Sequence, residues 1–250
     1  MARRSGDFWA APSGRPVAQH VHRFGWSFGA GADLDRVVDN FNDRCVQGAI
    51  AVVSQVHDEL TPGPVDWFGS AWGGSVELQL AASRPDLVRS LITVSTPVHA
   101  PSAAMRRQVR MLLPVYLAIG MRGPVRQGLL DGMLTDLTRR TDPEAVDALV
   151  APMSRANRRA IARTVHSGVL NRTDLAWAAE RVTCPTLMIA TDDRGEWSPT
   201  ECAKITAAMK DARTAILTGT RSLPSLEYPT ELAALVTDFW ARPATVEAPG

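Results

Sequence analysis

The chain has 250 residues, of which 45% are hydrophobic and 21% charged, with 27 basic side chains against 26 acidic ones. This length suits one globular domain with a full core, and the near-neutral charge argues against a general nucleic-acid or membrane-surface binder. The three cysteines, Cys45, Cys184 and Cys202, form no CxxC pair, so we expect neither a disulfide framework nor a metal site. The basic amino terminus lacks the apolar stretch of a signal peptide, and we expect a cytoplasmic protein.

The charge is unevenly distributed along the chain. Residues 101–181 contain 13 arginines and 7 acidic residues, which leaves 14 basic and 19 acidic residues elsewhere. One segment is therefore basic, with a net charge of +6, and the remainder is acidic, with a net charge of −5.

The first quarter of the chain predicts one strand and one long helix. Residues 17–23 are typical of a short strand, and a glycine-rich turn follows at 24–33. Apolar residues then recur at helical spacing from 34 to 60, after Asp33 as a candidate N-cap, and the sequence TPGP at 61–64 ends the helix.

From residue 65 onward, strands alternate with helices. VDWFGS at 65–70 predicts a buried strand and the following residues a helix through Arg84. Further strands are predicted at 87–96, 185–193 and 214–219, and a last helix at 230–241. This alternation predicts a parallel sheet covered by helices, with ligands bound at the edge where the strands end.

The basic segment interrupts the alternation with amphipathic helices. They are predicted at 105–121, 124–140, 143–153 and 156–170. We expect residues 98–181 to form a helical basic cap, and residues 1–97 and 182–250 to form the core. The tail at 242–250 has the composition of a disordered segment.

Three stretches resemble the α/β-hydrolase superfamily. Residues 65–97, VDWFGSAWGGSVELQLAASRPDLVRSLITVSTP, are similar to the family's strand, sharp turn, helix and strand around G-x-S-x-G. CPTLMIATDD resembles the strand that delivers the catalytic acid, and GTRSLPSLEYPTELAALVTDFW resembles the loop that delivers the catalytic histidine. The resemblance covers most of residues 61–241 and implies an α/β fold with a parallel sheet and a helical cap.

The same alignment implies that two triad members are missing. Ala71 stands at the nucleophile position and Ser222 where the histidine belongs, while the acid keeps its type as Asp193. A Ser–His–Asp relay cannot operate without a hydroxyl and an imidazole. Ser70 precedes the turn and Ser75 lies within the helix, so neither replaces the nucleophile.

Few residues precede the G-x-S-x-G-like turn compared with members of this superfamily. HRFGWS at 22–27 resembles the turn after the family's fourth strand, so that the first three strands would be missing. Alternatively the glycine-rich turn stands for the family's oxyanion loop and the fourth strand is deleted. We favour the first interpretation, which gives about five strands and an exposed sheet edge that could support a homodimer.

The resemblance implies chemistry that needs no triad. The backbone N–H of Trp72 follows the nucleophile position and would form half of an oxyanion hole, with a second donor from residues 24–30. Acyltransferases of this superfamily that lack triad residues act in natural-product biosynthesis, and the chain is similar in size to those that transfer an indolic acid in nosiheptide-type pathways. An acidic carrier protein, with its acyl group on phosphopantetheine, or an acidic peptide would fit the basic cap. No other cofactor is expected.

Several further residues are candidates, and each also has a packing interpretation. His99 follows the strand at 87–96 and is the preferred replacement base, with Asp193 and Ser222 as further catalytic candidates. The expected binding residues are Ser70, Ala71, Trp26 and His22.

Two alternatives to acyl transfer remain open. One is an inactive pseudohydrolase that serves as a binding or scaffold subunit, which predicts a filled pocket beside Ala71. The other is a lyase or cyclase that uses His99 or Asp193 to move a proton.

Overall fold

The fold is built on a parallel sheet, shown by a computed structural model that describes residues 63–194 and 196–241, together with residues 48 and 51. The strands are β1 (Val65–Ser70), β2 (Val88–Val94), β3 (Thr186–Thr191) and β4 (Ala212–Leu217), in the spatial order β1-β2-β3-β4. All neighbouring pairs are parallel. The carboxyl ends of these four strands therefore meet at one edge of the sheet.

Helices connect the strands. Between β1 and β2 lie α1 (Trp72–Ser83) and a 3-10 turn (Pro85–Leu87). Between β2 and β3 lie α2 (Ala103–Ile119), α3 (Gly123–Met133), α4 (Asp136–Thr141), α5 (Pro143–Arg155), α6 (Arg158–Val165), a π-helical turn (His166–Leu170) and α7 (Ala176–Arg181). The remaining helices are α8 (Pro199–Ala208), α9 (Pro224–Glu227) and α10 (Pro229–Ala241).

Both faces of the sheet are covered by apolar side chains. Alternating strand residues point to opposite faces, so Leu91 and Met188 pack with α1, α7 and α8, whereas Ile92 and Ile189 pack with α10. β2 and β3 are buried on both faces except at the exposed Arg89, and apolar residues accordingly make up most of each strand.

Local capping signals set the helix boundaries in the segment between β2 and β3. The Ser102 hydroxyl accepts from the Met105 N–H, the Asp142 carboxylate from the Ala145 N–H, and the Asn157 amide oxygen from the Arg159 N–H. The helix predicted at 124–140 is divided in the structure, because the Thr135 hydroxyl accepts from the Thr138 N–H and starts α4.

The parallel α/β sheet predicted from the sequence is confirmed, with four strands in the described part of the chain. The strand predicted at 17–23, the helix at 34–60 and the tail at 242–250 lie outside the described residues, as do His22 and Trp26. The division into core and cap stays a prediction. Among the described helices, none combines the length and the apolar character needed to span a bilayer.

Candidate functional site at the carboxyl edge of the sheet

The turn between β1 and α1 has the strained backbone of a nucleophile elbow. Ala71 has φ 51° and ψ −119°, a region that residues with a Cβ rarely adopt. The Ala71 N–H donates to the Val94 carbonyl at 2.8 Å, which ties the turn to the end of β2. The geometry of the elbow is thus present, while the side chain at its apex is a methyl group.

Two glycines make this tight turn possible. A Cβ on Gly69 would lie 2.7 Å from the backbone nitrogen of Gly74, and a Cβ on Gly74 would lie 3.0 Å from the Thr96 Cβ and overlap its hydroxyl. Gly73 has open space in the corresponding direction. Gly69 therefore allows β1 to approach α1 closely, and Gly74 allows α1 to approach Thr96 just after β2, whereas Gly73 makes no such close approach.

Trp72, the residue whose N–H is expected to bind an oxyanion, is the first residue of α1 and directly follows Ala71. Its half-buried indole lies beside the π-helical turn, since a side chain on Gly168 would come 3.6 Å from the ring. Ser70 is the last residue of β1 and pairs in register with Val94, which packs on the face of the sheet that α10 covers. Its side chain therefore lies on the face opposite to α1.

Asp193 follows β3 and is bound by an arginine. Its Oδ2 accepts from Arg221 Nη2 at 2.7 Å, and its backbone carbonyl accepts from Arg221 Nε at 3.3 Å. The Arg221 side chain is only 3% exposed. A guanidinium cannot take up a proton in the way an imidazole does. Asp193, the residue predicted as the acid of the triad, is therefore held in an ion pair with Arg221.

The same arginine binds the helical segment between β2 and β3. Arg221 Nη1 donates to the Asp131 carbonyl at 2.6 Å and to the Leu134 carbonyl at 2.7 Å. Glu227 links the same two parts of the chain, since Oε2 accepts from the Arg221 N–H and Oε1 from the Thr135 N–H. We call this set of contacts, made by Arg221, Glu227 and their partners, the Arg221 network.

Ser222, predicted at the position of the missing histidine, lies beside this network. Its hydroxyl donates to the Gly132 carbonyl at 3.0 Å, and its N–H donates to the Met133 carbonyl at 3.2 Å. The hydroxyl thus helps to satisfy the carboxyl end of α3.

His99, the predicted replacement base, faces the start of α8. Its Nε2 lies 3.5 Å from Glu201 Oε1, its Nδ1 lies 3.0 Å from the Ala100 carbonyl, and its ring centroid is 5.6 Å from that of Trp197. Contacts with Ser198 and the nearby His99 lower the pKa of Glu201. The structure thus brings Asp193 and Arg221 together, and places His99 in a separate group with Trp197 and Glu201.

The sequence interpretation missed two buried ionisable residues, Arg221 and Glu77. Glu77 lies in α1 beneath the elbow, where burial raises its pKa well above the ordinary value. Among the residues that the structure describes, none forms a hydrogen bond with its Oε2, and the same holds for the buried hydroxyls of Ser75 and Ser95. A charged residue within the buried face of α1 is the signal that could have identified Glu77. The described residues contain no cluster of ligands suited to a metal ion.

Comparisons with known proteins agree with this fold. The solved structures similar to the chain include an esterase from Thermogutta terrifontis, with 18% identity and a TM-score of 0.69 over 82% of this chain and 73% of the other. They also include the enol-lactonase from Burkholderia xenovorans, with 17% identity and a TM-score of 0.67 over 79% of this chain and 73% of the other. A hydrolase from Pseudomonas aeruginosa has 20% identity and a TM-score of 0.65 over 79% of this chain and 72% of the other. No curated protein sequence matches. The sequence profile of the alpha/beta hydrolase fold matches residues 21–194. The chain is therefore a member of the α/β-hydrolase fold family.

Proposed function

We propose that the chain transfers an acyl group from a thioester donor to an acceptor without forming an acyl-enzyme. The observation that carries the proposal is the backbone of Ala71, which keeps the elbow conformation although no nucleophile is present. Holding a residue with a Cβ in this region costs about 1–3 kcal/mol, and such strain is concentrated at functional sites. The elbow sets the amino end of α1 at the edge where ligands bind in such sheets.

The donor carbonyl is placed beside Ala71, with its oxygen near the amino end of α1 and the Trp72 N–H. Backbone N–H groups and the helix dipole stabilise negative charge that develops on such an oxygen. In enzymes stripped of their triad, the oxyanion hole and binding alone still give roughly 10³–10⁴-fold catalysis over water. This residual catalysis depends neither on a nucleophilic hydroxyl at position 71 nor on an imidazole at position 222.

The transfer step needs no group from the protein to carry the acyl chain. An acceptor amine attacks the thioester carbonyl, the C–N bond forms, the C–S bond breaks, and the thiol leaves with the proton that the amine gives up. Positioning two reactants in this way can supply effective concentrations of about 10⁵–10⁸ M. Because Ala71 cannot form an ester with the acyl group, hydrolysis of an acyl-enzyme is absent as a competing reaction.

His99 is the group proposed to assist the acceptor, as a base that takes up its proton and passes it to the sulfur of the leaving thiolate. The imidazole is partly exposed and lies at the same edge of the sheet as Ala71, since both follow the carboxyl ends of neighbouring strands. Asp193 is assigned a structural part in this scheme, because its carboxylate pairs with Arg221.

A binding or scaffold subunit is the second candidate function, and the Arg221 network favours it. A buried guanidinium that bonds Asp193 and two helix carbonyls fixes the place where a catalytic imidazole would need to move protons. Such a subunit would bind a thioester or a partner at the elbow and leave the bound acyl group unchanged. The two functions differ in turnover and not in binding.

The test is a transfer assay with the purified full chain, benzoyl-pantetheine as donor, and an amine, an alcohol and a thiol as acceptors. We expect transfer to at least one acceptor at 10-fold or more above the rate without protein, with no matching rise in free benzoate. Ala71→Phe, which fills the space given to the carbonyl, should reduce transfer at least 10-fold, whereas Ala71→Ser should stay within about 3-fold. Binding of the donor without transfer to any acceptor would favour the scaffold function.

A further inference from the structure

The outer face of α2 carries arginines and apolar side chains and no acidic residue. Arg107, Arg110, Met111, Pro114 and Leu117 are spaced by three or four residues and are all exposed, Met111 by 65% and Leu117 by 43%. Residues at this spacing share one side of a helix and here extend along about 15 Å of it. We call this exposed face, formed by Arg107, Arg110, Met111, Pro114 and Leu117, the α2 stripe.

The neighbouring helix α6 extends the positive charge at the carboxyl end of the stripe. Arg158 Nη1 donates to the Ala118 carbonyl at 3.0 Å, so its charge lies at the negative end of the α2 dipole. Leu117, Asn157, Arg158 and Arg159 line an open depression of about 580 Å³ at this place. The apolar centre of the stripe therefore lies between two arginines at one end and two at the other.

The arginines of this surface are available for a partner. Neither α2 nor α6 contains an aspartate or glutamate. Within the part of the chain that the structure describes, Arg107, Arg110 and Arg159 make no salt bridge, although other arginines of the same segment do, such as Arg139 with Asp136 at 2.5 Å. Positive charges that are left unpaired beside exposed apolar side chains are typical of a surface that meets a negatively charged protein.

We propose that the α2 stripe docks an acidic amphipathic helix of the carrier protein that bears the thioester. The carboxylates of such a helix would pair with the arginines at the two ends, and its apolar side chains would cover Met111 and Leu117. The inference rests on the proposed function for the identity of the partner, while the docking itself is measured without turnover.

The apolar centre of the stripe argues against a polyanion such as nucleic acid, whose contacts are mainly with phosphates. The absence of aromatic residues from the stripe, and Pro114 within it, distinguish it from helices that insert into membrane interfaces.

The experiment measures binding of the full chain to a bacterial acyl carrier protein that carries its phosphopantetheine arm, by titration calorimetry at 50 mM and 300 mM NaCl. We expect binding that weakens at least 5-fold at the higher salt concentration. The triple variant R107E/R110E/R159E should weaken binding at least 10-fold at the lower salt concentration, and Met111→Ser at least 3-fold. The control is R140E, because Arg140 is an exposed arginine of α4 outside the stripe.

Four results would overturn the proposal. Two concern the carrier protein: absence of binding, or equal weakening of binding by R140E and by the triple variant. The other two show a different occupant of the stripe: binding to vesicles of phosphatidylcholine and phosphatidylglycerol that the triple variant abolishes, or a dimer that the triple variant dissociates. Normal carrier binding with no transfer would refute the proposed function and leave the docking surface standing. If the chain transfers the acyl group from the carrier protein and the triple variant leaves the KM unchanged, the docking surface is refuted and the proposed function stands.

Discussion

Replacing Arg221 with methionine should destabilise the protein strongly. The substitution keeps an unbranched side chain but removes the donors to the Asp131 and Leu134 carbonyls and to both acceptor groups of Asp193. Removing one partner of a buried ion pair typically costs about 3–5 kcal/mol, because the other partner and the carbonyls stay buried without a hydrogen bond. Asp193 is 29% exposed, so water recovers part of its interaction. We therefore expect a loss of about 3 kcal/mol in the free energy of unfolding.

The assay is urea unfolding at pH 7, followed by tryptophan fluorescence. Arg140→Met is the matched control, since it makes the same chemical change at an exposed position of the helical segment that Arg221 binds, and we expect a change within about 0.5 kcal/mol. The double variant R221M/D193N should recover about 1 kcal/mol relative to R221M, because the unpaired carboxylate is then neutral. If R221M costs less than about 1 kcal/mol, the Arg221 network does not hold the helical segment to the sheet and our reasoning fails.

Three further predictions concern the elbow. Gly74→Ala should destabilise the fold by about 1–3 kcal/mol, because the added Cβ overlaps Thr96. Gly73→Ala, with open space at its Cβ, should be neutral or stabilising by up to about 1 kcal/mol. Urea unfolding compares the two variants, and equal effects would refute the close packing at Gly74. Burial raises the pKa of Glu77, so the native state binds its proton more tightly than the unfolded chain, and stability falls as pH rises from the ordinary value near 4.5 through the raised pKa. Glu77→Gln should abolish this fall. Above the raised pKa, its free energy of unfolding should exceed that of wild type by about 1.4 kcal/mol for each unit by which the pKa of Glu77 is raised. Unfolding at pH 4 and pH 8 measures the effect, and parallel stability curves for the two proteins would contradict the prediction. The double variant A71S/S222H should show no esterase activity on p-nitrophenyl acetate, because Arg221 keeps the acid occupied; rapid hydrolysis would show a working triad.

The sheet and the elbow could be predicted from the sequence because their signals are local. The mostly apolar sequences of β2 and β3 follow from burial on two faces, and the glycines around Ala71 follow from the close packing at the tight turn. The break before α4 also has a local signal, the Thr135 cap, which the periodicity of the surrounding apolar residues concealed.

The Arg221 network could not be predicted in this way. Arg221 stands next to Ser222 in a loop without periodicity, and its carbonyl partners lie 90 and 87 residues earlier in the chain. Only the folded structure brings them together. The resemblance to the hydrolase family directed attention to Ser222, as the position where a histidine is expected, whereas the neighbouring Arg221 is the residue that binds Asp193.

The most direct test of acyl transfer without an acyl-enzyme is intact-protein mass spectrometry during turnover of benzoyl-pantetheine with an accepted acceptor. Samples are quenched in acid within milliseconds to seconds, and the product and the mass of the protein are measured in the same samples. We predict that product accumulates while the protein keeps its unmodified mass at every time point. A benzoyl adduct on the protein that forms and decays at the rate of product formation would contradict the account.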